Sequence, residues 1–241
     1  MVVGCAAALV LLGIGGLGTT AVLMERESPT GTGSGPTASP AATGTERPAR
    51  VGLDSRDTDP LPLTAKELFP GRQLVVATGQ PGYQVLRTQS SGSCAAAATD
   101  DIADLLVQLG CNQVVRGTLR APDKGYLATA GLFNLTDRAT AERVQERIRE
   151  ILQEHRGRFT GLVAGDDTKV LTTAAARVSW QASGHYVAYS MVVRADGEPV
   201  RADDATAKQI LLDLVQRHLT KGVLDRRADA DLTQPSTDPD D

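Results

Sequence analysis

The amino-acid sequence predicts an α+β fold, a mainly antiparallel sheet with amphipathic helices on one face, and three observations carry that expectation. A ββα unit is written twice: YLATAGLF at Tyr126 to Phe133 precedes DRATAERV at Asp137, and YVAYSMVV at Tyr186 to Val193 precedes DDATAKQI at Asp203. Ahead of each copy lies another β-like run, QVVRGTLRA from Gln113 and ARVSWQASG from Ala176, joined through the turn-like links APDKG and ASGH. After each hairpin the apolar residues switch to helical spacing, with Val144, Ile148, Ile151 and Leu152 in one case and Ala207, Ile210, Leu211, Leu214, Val215 and Leu219 in the other.

Taken in chain order, LVVAT from Leu74 and YQVLR from Tyr83 read as strands separated by the GQPG turn. A helix is expected over Ala95 to Leu109, burying Ile102, Leu105, Leu106 and Leu109. The first hairpin follows, then a helix capped by Asp137 or Thr136, whose carboxylate or hydroxyl accepts a free N–H of the first turn. FTGLVA is a candidate strand, and the second hairpin leads through a longer connection, RADGEPVRA, to a last helix capped by Asp203 or Asp204 and ending near Gly222 as its C′ residue. From Tyr83 to Ala164 the order strand, helix, hairpin, helix, strand predicts a ferredoxin-like split βαβ core, to which the second ββα unit is appended.

The flanks differ sharply from this domain. Val2 to Met24 is an uncharged, largely apolar run, about 35 Å long as a helix and enough to cross a bilayer core of about 30 Å. It lacks the basic start and the small-x-small site of a cleaved signal peptide, and Cys5 sits at the beginning of the apolar run where a lipidated cysteine would follow it, so residues 1–24 read as an uncleaved transmembrane signal anchor. GIGGLG at Gly13 to Gly18 matches the dinucleotide-binding pattern in letters only, because it lies inside the apolar run rather than between a strand and a soluble helix. Its small residues suit weak self-association through the membrane helix. Residues 25–60, rich in Thr, Ser, Pro and Gly, bury too little surface to offset their ordering entropy and read as a flexible stalk. Residues 61–224 form the α+β domain and 225–241 an acidic tail.

Orientation rests on the cysteines, since the charges flanking the apolar run do not choose a side. Cys94 and Cys111 bracket one predicted helix and make a candidate disulfide, worth on the order of 3 kcal/mol and stable only in an oxidising compartment. The alternative is two buried free thiols. A straight helix between them would hold them about 25 Å apart, so the bond requires Cys94 to fold back along the helix or the helix to start near Thr99. The expected location is a single-pass cell-membrane protein with a cytoplasmic N-terminus and the domain outside.

The search for chemistry yields no metal, cofactor or catalytic constellation. His155, His185 and His218 share no ligand spacing. Asp100/Asp101, Asp166/Asp167 and Asp203/Asp204 are adjacent in sequence, and neighbours on a helix point about 100° apart. Ser90, Ser91 and Ser93 lack a nucleophile elbow and a base, and the sequon at Asn134 falls where a strand meets a helix cap. A formal net charge of −4 and an aromatic content of 3% argue against nucleic acid, which calls for a basic patch and stacking rings. Trp180, Tyr186 and Tyr189 on one hairpin are a candidate recognition patch, with core packing as the competing reading.

The segment CAAAATDDIADLLVQLGCNQVVRGTL, Cys94 to Leu119, followed by YLATAGLFNL and its helix, resembles actinobacterial single-pass membrane proteins that carry a small disulfide-bearing extracytoplasmic domain on a stalk. That resemblance implies an envelope location and no activity. Two function classes follow: a non-catalytic module that binds an envelope protein, peptide or wall component through a sheet face or exposed edge, and, as the alternative, an envelope hydrolase whose site is assembled from dispersed residues.

Overall fold

The computed structural model describes residues 52–230, so the expected anchor, its GIGGLG run, most of the stalk and the end of the tail lie outside the described residues. Among the described residues no helix is long and apolar enough to cross a membrane. The fold is mixed α+β around one six-stranded sheet. In chain order its strands are β1 (Gln73–Leu74), β2 (Tyr83–Ser91), β4 (Gln113–Arg120), β5 (Tyr126–Asn134), β7 (Arg177–Ser183) and β8 (Tyr186–Arg194), while β3 (Ala98–Thr99) and β6 (Gly157–Phe159) form a separate two-stranded ladder. The sheet order is β1-β2-β4-β5-β8-β7, antiparallel at every pairing. This corrects the split βαβ expectation, because such a unit needs a parallel pair with a strand between, whereas β2 and β4 are direct antiparallel neighbours.

The helices are α1 (Ala65–Leu68), α2 (Asp100–Gln108), α3 (Arg138–Gln153), α4 (Val170–Thr173) and a long C-terminal run. That run starts as α5 (Ala205–Leu211), winds with i→i+5 bonding over Leu212–Leu224, and ends as α6 (Asp225–Ala230). The caps are Asp137, which accepts the Thr140 N–H at 2.7 Å, and Asp204, which accepts that of Ala207 at 2.9 Å. Gly222 does not end the last helix, contrary to the sequence expectation. The buried pairs Ile210/Leu211, Leu214/Val215, His218/Leu219 and Val223/Leu224 recur at four- and five-residue steps, longer than the 3.6 of an α-helix. The wider winding keeps that stripe on one side as far as Leu224.

Helices cover both faces of the sheet, which corrects the one-face expectation. On one face Val115, Leu119, Ala128, Leu132, Tyr186, Ala188 and Val192 meet Leu68, Phe69 and the C-terminal helix. On the other, Val114, Leu127, Phe133, Val187, Tyr189 and Val193 meet Ile102 and Leu106 of α2 and Val144, Ile148 and Ile151 of α3. The two hairpins obey the repeat as strands: β5 and β8 pair centrally and antiparallel, and Leu127 and Val187, like Ala128 and Ala188, share a face. Their helices part company, because the longer 195–203 connection carries α5 around to the face opposite α3.

Residues 54–60, assigned by composition to the stalk, belong to the fold. Ser55 bridges to Asp137, and Arg56 donates to Gly110 O at 2.8 Å and to Leu135 O at 3.2 Å. Asp59 is buried, accepting the Tyr186 hydroxyl at 2.6 Å and Arg227 Nε at 2.7 Å. Arg227, placed by composition in the tail, also reaches Glu67 at 2.8 Å and Leu61 O. Short polar segments look like linkers because composition cannot register that Arg56, Asp59 and Arg227 each find partners within the fold.

Candidate functional site

Cys94 and Cys111 are joined, with Cα atoms 6.1 Å apart. The helix anticipated over Ala95 to Leu109 begins only at Asp100. Cys94–Ala97 forms a 3₁₀ turn, and Ala98–Thr99 pairs with β6, so the chain returns to Cys111 within reach of a bond.

Trp180, Tyr186 and Tyr189 do not form one exposed patch. Tyr186 points to the face of the C-terminal helix and Tyr189 to the opposite face, and both are fully buried. Tyr189 stacks with Phe133 and Phe159, centroids 4.7 and 5.0 Å away, and Trp180 tilts against Phe159 while its indole N–H donates to Gln145 O at 2.9 Å. Burial pushes the Tyr189 hydroxyl up to about 12, with the Arg116 guanidinium pulling against it. Gln89, Arg116, Gly131, Tyr189 and Trp180 are one row across the sheet. A Cβ at residue 131 would stand 2.3 Å from Val115 O and 2.8 Å from Arg116 Cβ, so only glycine fits beneath that arginine.

Arg116 is buried, donating to Gln89 Oε1 at 2.9 Å and to Thr160 O at 2.9 Å. Its second partner begins an extended strap. Thr129 Oγ1 accepts the Leu162 N–H at 3.0 Å, Thr118 donates to Leu162 O, and Arg87 donates to Val163 O at 2.7 Å. Sheet side chains thus satisfy a backbone segment that lies across the sheet without joining a ladder. Sequence reading took FTGLVA for a strand because its apolar content is the same in either role.

Most of the remaining candidates are structurally engaged. His185 Nδ1 lies 2.9 Å from Leu53 O, and burial lowers its pKa. His218 Nε2 lies 2.8 Å from Leu68 O, and burial lowers it to about 4. Asp101 pairs with Arg156, Asp166 with Lys169, Asp167 with Arg120, Asp203 with Arg201, and Asp204 with Tyr126. Ser90 Oγ accepts Gln113 Nε2 at 3.3 Å, and Ser91 Oγ accepts the Ser93 N–H at 3.1 Å. Among the described residues no group of three or more His, Cys, Asp and Glu has the arrangement to hold a metal ion.

What stands open is an edge. β1 covers only Tyr83 and Gln84 of β2, and among the described residues the Val85 N–H to Arg72 O bond of 2.9 Å is the last on that side. The Ala121 N–H to Tyr126 O bond turns the odd-numbered residues of β4 toward β5. Arg116 and Thr118 therefore present their peptide groups to Gln89 and Arg87 of β2. Alternation then leaves Thr88 and Ser90 with N–H and C=O directed outward, and both residues are exposed. A groove of about 660 Å³ runs alongside, lined by Phe69, Gly71, Arg72, Gln73 and Gln84 to Thr88. Phe69 reaches it because Gly117 lets the ring lie flat on the sheet, where a Cβ would meet the ring at 2.7 Å. The opposite edge is occupied at its end: Gln145 Oε1 accepts the outward Ala182 N–H of β7 at 2.6 Å, and Gln145 O accepts the Trp180 indole N–H. Periodicity made β2 legible as a strand, and nothing in the sequence marked it as an edge. Comparison of the chain with protein-family models, curated proteins and solved structures finds no match.

Proposed function

We propose that this chain is a membrane-anchored extracytoplasmic binding module that captures an extended peptide by strand addition at the open edge of β2. The observation that carries the reading is the outward backbone of Thr88 and Ser90, unpaired among the described residues and beside the Phe69 groove, whereas at β7 the outward Ala182 N–H is already taken by Gln145. Main-chain hydrogen bonds supply affinity in strand addition, and side chains along the edge supply choice. The apolar run at residues 2–24 and the Thr/Ser/Pro/Gly-rich segment after it support a tethered domain. The Cys94–Cys111 bridge supports an oxidising compartment.

The test is Thr88→Pro, which removes an outward N–H and leaves the ladder to β4 intact. Displayed random heptapeptides selected on the full-length protein in lipid nanodiscs should lose binding to this variant while its melting temperature is retained. Selected peptides that bind Thr88→Pro as well as the parent would refute the edge as the site.

A further inference from the structure

We infer that the strand taken up by β2 is acidic. This rests on the strand-addition reading above and adds the chemistry of the partner. The groove lining contains two arginines, Arg72 and Arg87, and no carboxylate. Arg72 is exposed, and among the described residues its side chain has no hydrogen bond or ion pair. Arg87 is exposed and spends one guanidinium nitrogen on a neutral carbonyl, Val163 O, so among the described residues its charge has no counterpart.

The two arginines bracket the entry to the open stretch. Arg72 lies across from Val85, where β1 stops covering the edge, and Arg87 precedes Thr88, the first residue whose backbone is free. A strand laid on Thr88 and Ser90 places alternate side chains on the Arg87 face, at cross-strand separations of about 4.5–5.5 Å, within ion-pair reach of that guanidinium. Carboxylates at those positions would neutralise a cation that the fold leaves uncompensated.

The same charges disfavour a second copy of this chain as the occupant. Antiparallel pairing of β2 with its symmetry mate would bring both copies of Arg87 to the strap face of one seam and both copies of Arg72 to its other face, with no acid in the lining to separate either pair. Like charges placed across from each other on neighbouring strands are destabilising, so the edge is selective against itself and for an acidic strand.

The experiment measures anisotropy of three labelled peptides, TEEVEET, TQQVQQT and TKKVKKT, which carry like side chains on both strand faces and so reach Arg72 on one face and Arg87 on the other, titrated with the full-length protein in nanodiscs at low salt. The acidic peptide should bind at least fivefold more tightly than the glutamine peptide and lose most of that margin at high salt. Arg72→Gln and Arg87→Gln should each weaken it by about two- to fivefold, the range of an exposed ion pair, and leave the glutamine peptide unaffected. Because Arg87 also holds the strap, the melting temperature of its variant is measured alongside, and Arg72→Gln stands as the variant without an internal bond to lose. Equal binding of the acidic and glutamine peptides, both abolished by Thr88→Pro, would overturn the acidic partner and leave strand addition standing. Binding of the acidic peptide that ignores Thr88→Pro would overturn strand addition itself, and a dimer dissociated by Thr88→Pro would make the occupant a second copy.

Discussion

Asp59→Ala tests how the ends of the described chain are held. Asp59 is 6% exposed and receives the Tyr186 hydroxyl at 2.6 Å and Arg227 Nε at 2.7 Å. Burial, followed by the bond to Asp59, raises the Tyr186 pKa, so this hydroxyl stays a donor across the usable pH range. Removing the carboxylate orphans a fully buried hydroxyl and leaves Arg227, whose side chain is 10% exposed, with Glu67 and Leu61 O alone. Breaking a buried pair costs about 3–5 kcal/mol. Because Glu67 remains, the lower end applies, about 3 kcal/mol, or a fall of about 6–12 °C in Tm for a domain of this size. Urea and thermal unfolding with the disulfide kept oxidised measure it. Arg227→Met should cost less when added to Asp59→Ala than alone, since the double variant carries no stranded charge. A loss below about 1 kcal/mol for Asp59→Ala, or strict additivity in the cycle, would refute the clasp and return residues 54–60 to the stalk.

Three further outcomes follow. Burial lowers the His218 pKa to about 4 from about 6.5 in the unfolded chain, so between those values the unfolded state binds more protons and stability falls as pH drops from about 6.5 to about 4, by about 3 kcal/mol in all. His185, also lowered by burial, acts in the same direction; His218→Gln should flatten most of this slope in unfolding measured across that window, and an unchanged slope would exonerate His218. Reduction of the Cys94–Cys111 bridge, or Cys94→Ser with Cys111→Ser, should cost about 3 kcal/mol for a loop of this length, read as a lower urea midpoint. Gly131→Ala should cost about 3 kcal/mol or more, because the new methyl meets the backbone of β4 rather than a movable side chain, and a near-native midpoint would contradict the Arg116 row.

Much of the element list was legible because local patterns carry it. Strand alternation and turn residues marked both hairpins, and acidic caps marked the starts of α3 and α5. The bridge was legible as a pair of cysteines whose bonding required a helix start near Thr99, and the helix does start at Asp100. Topology was less legible. Order along the chain is compatible with several sheet orders, and only the pairing of β2 with β4 decides against a split βαβ core. The candidate patch of Trp180, Tyr186 and Tyr189 failed for a period-two reason: residues three apart on one strand face opposite sides, so Tyr186 and Tyr189 could not share a surface.

By itself, the sequence determined the two central hairpins, the strand at Tyr83 and the amphipathic helices, because side-chain periodicity and capping act within a few residues of one another. It also placed an apolar run at residues 2–24 ahead of a segment too polar to build a core. The tertiary structure alone decided which face each helix covers, which polar segments belong to the fold and which strand lies at an edge. These depend on partners far apart in the chain. Asp59 finds Arg227, Arg116 finds Thr160 O, Gln145 closes β7, and the two residues of β1 leave Thr88 and Ser90 uncovered. Such contacts follow from where the chain returns in space, and local composition carries no record of that return.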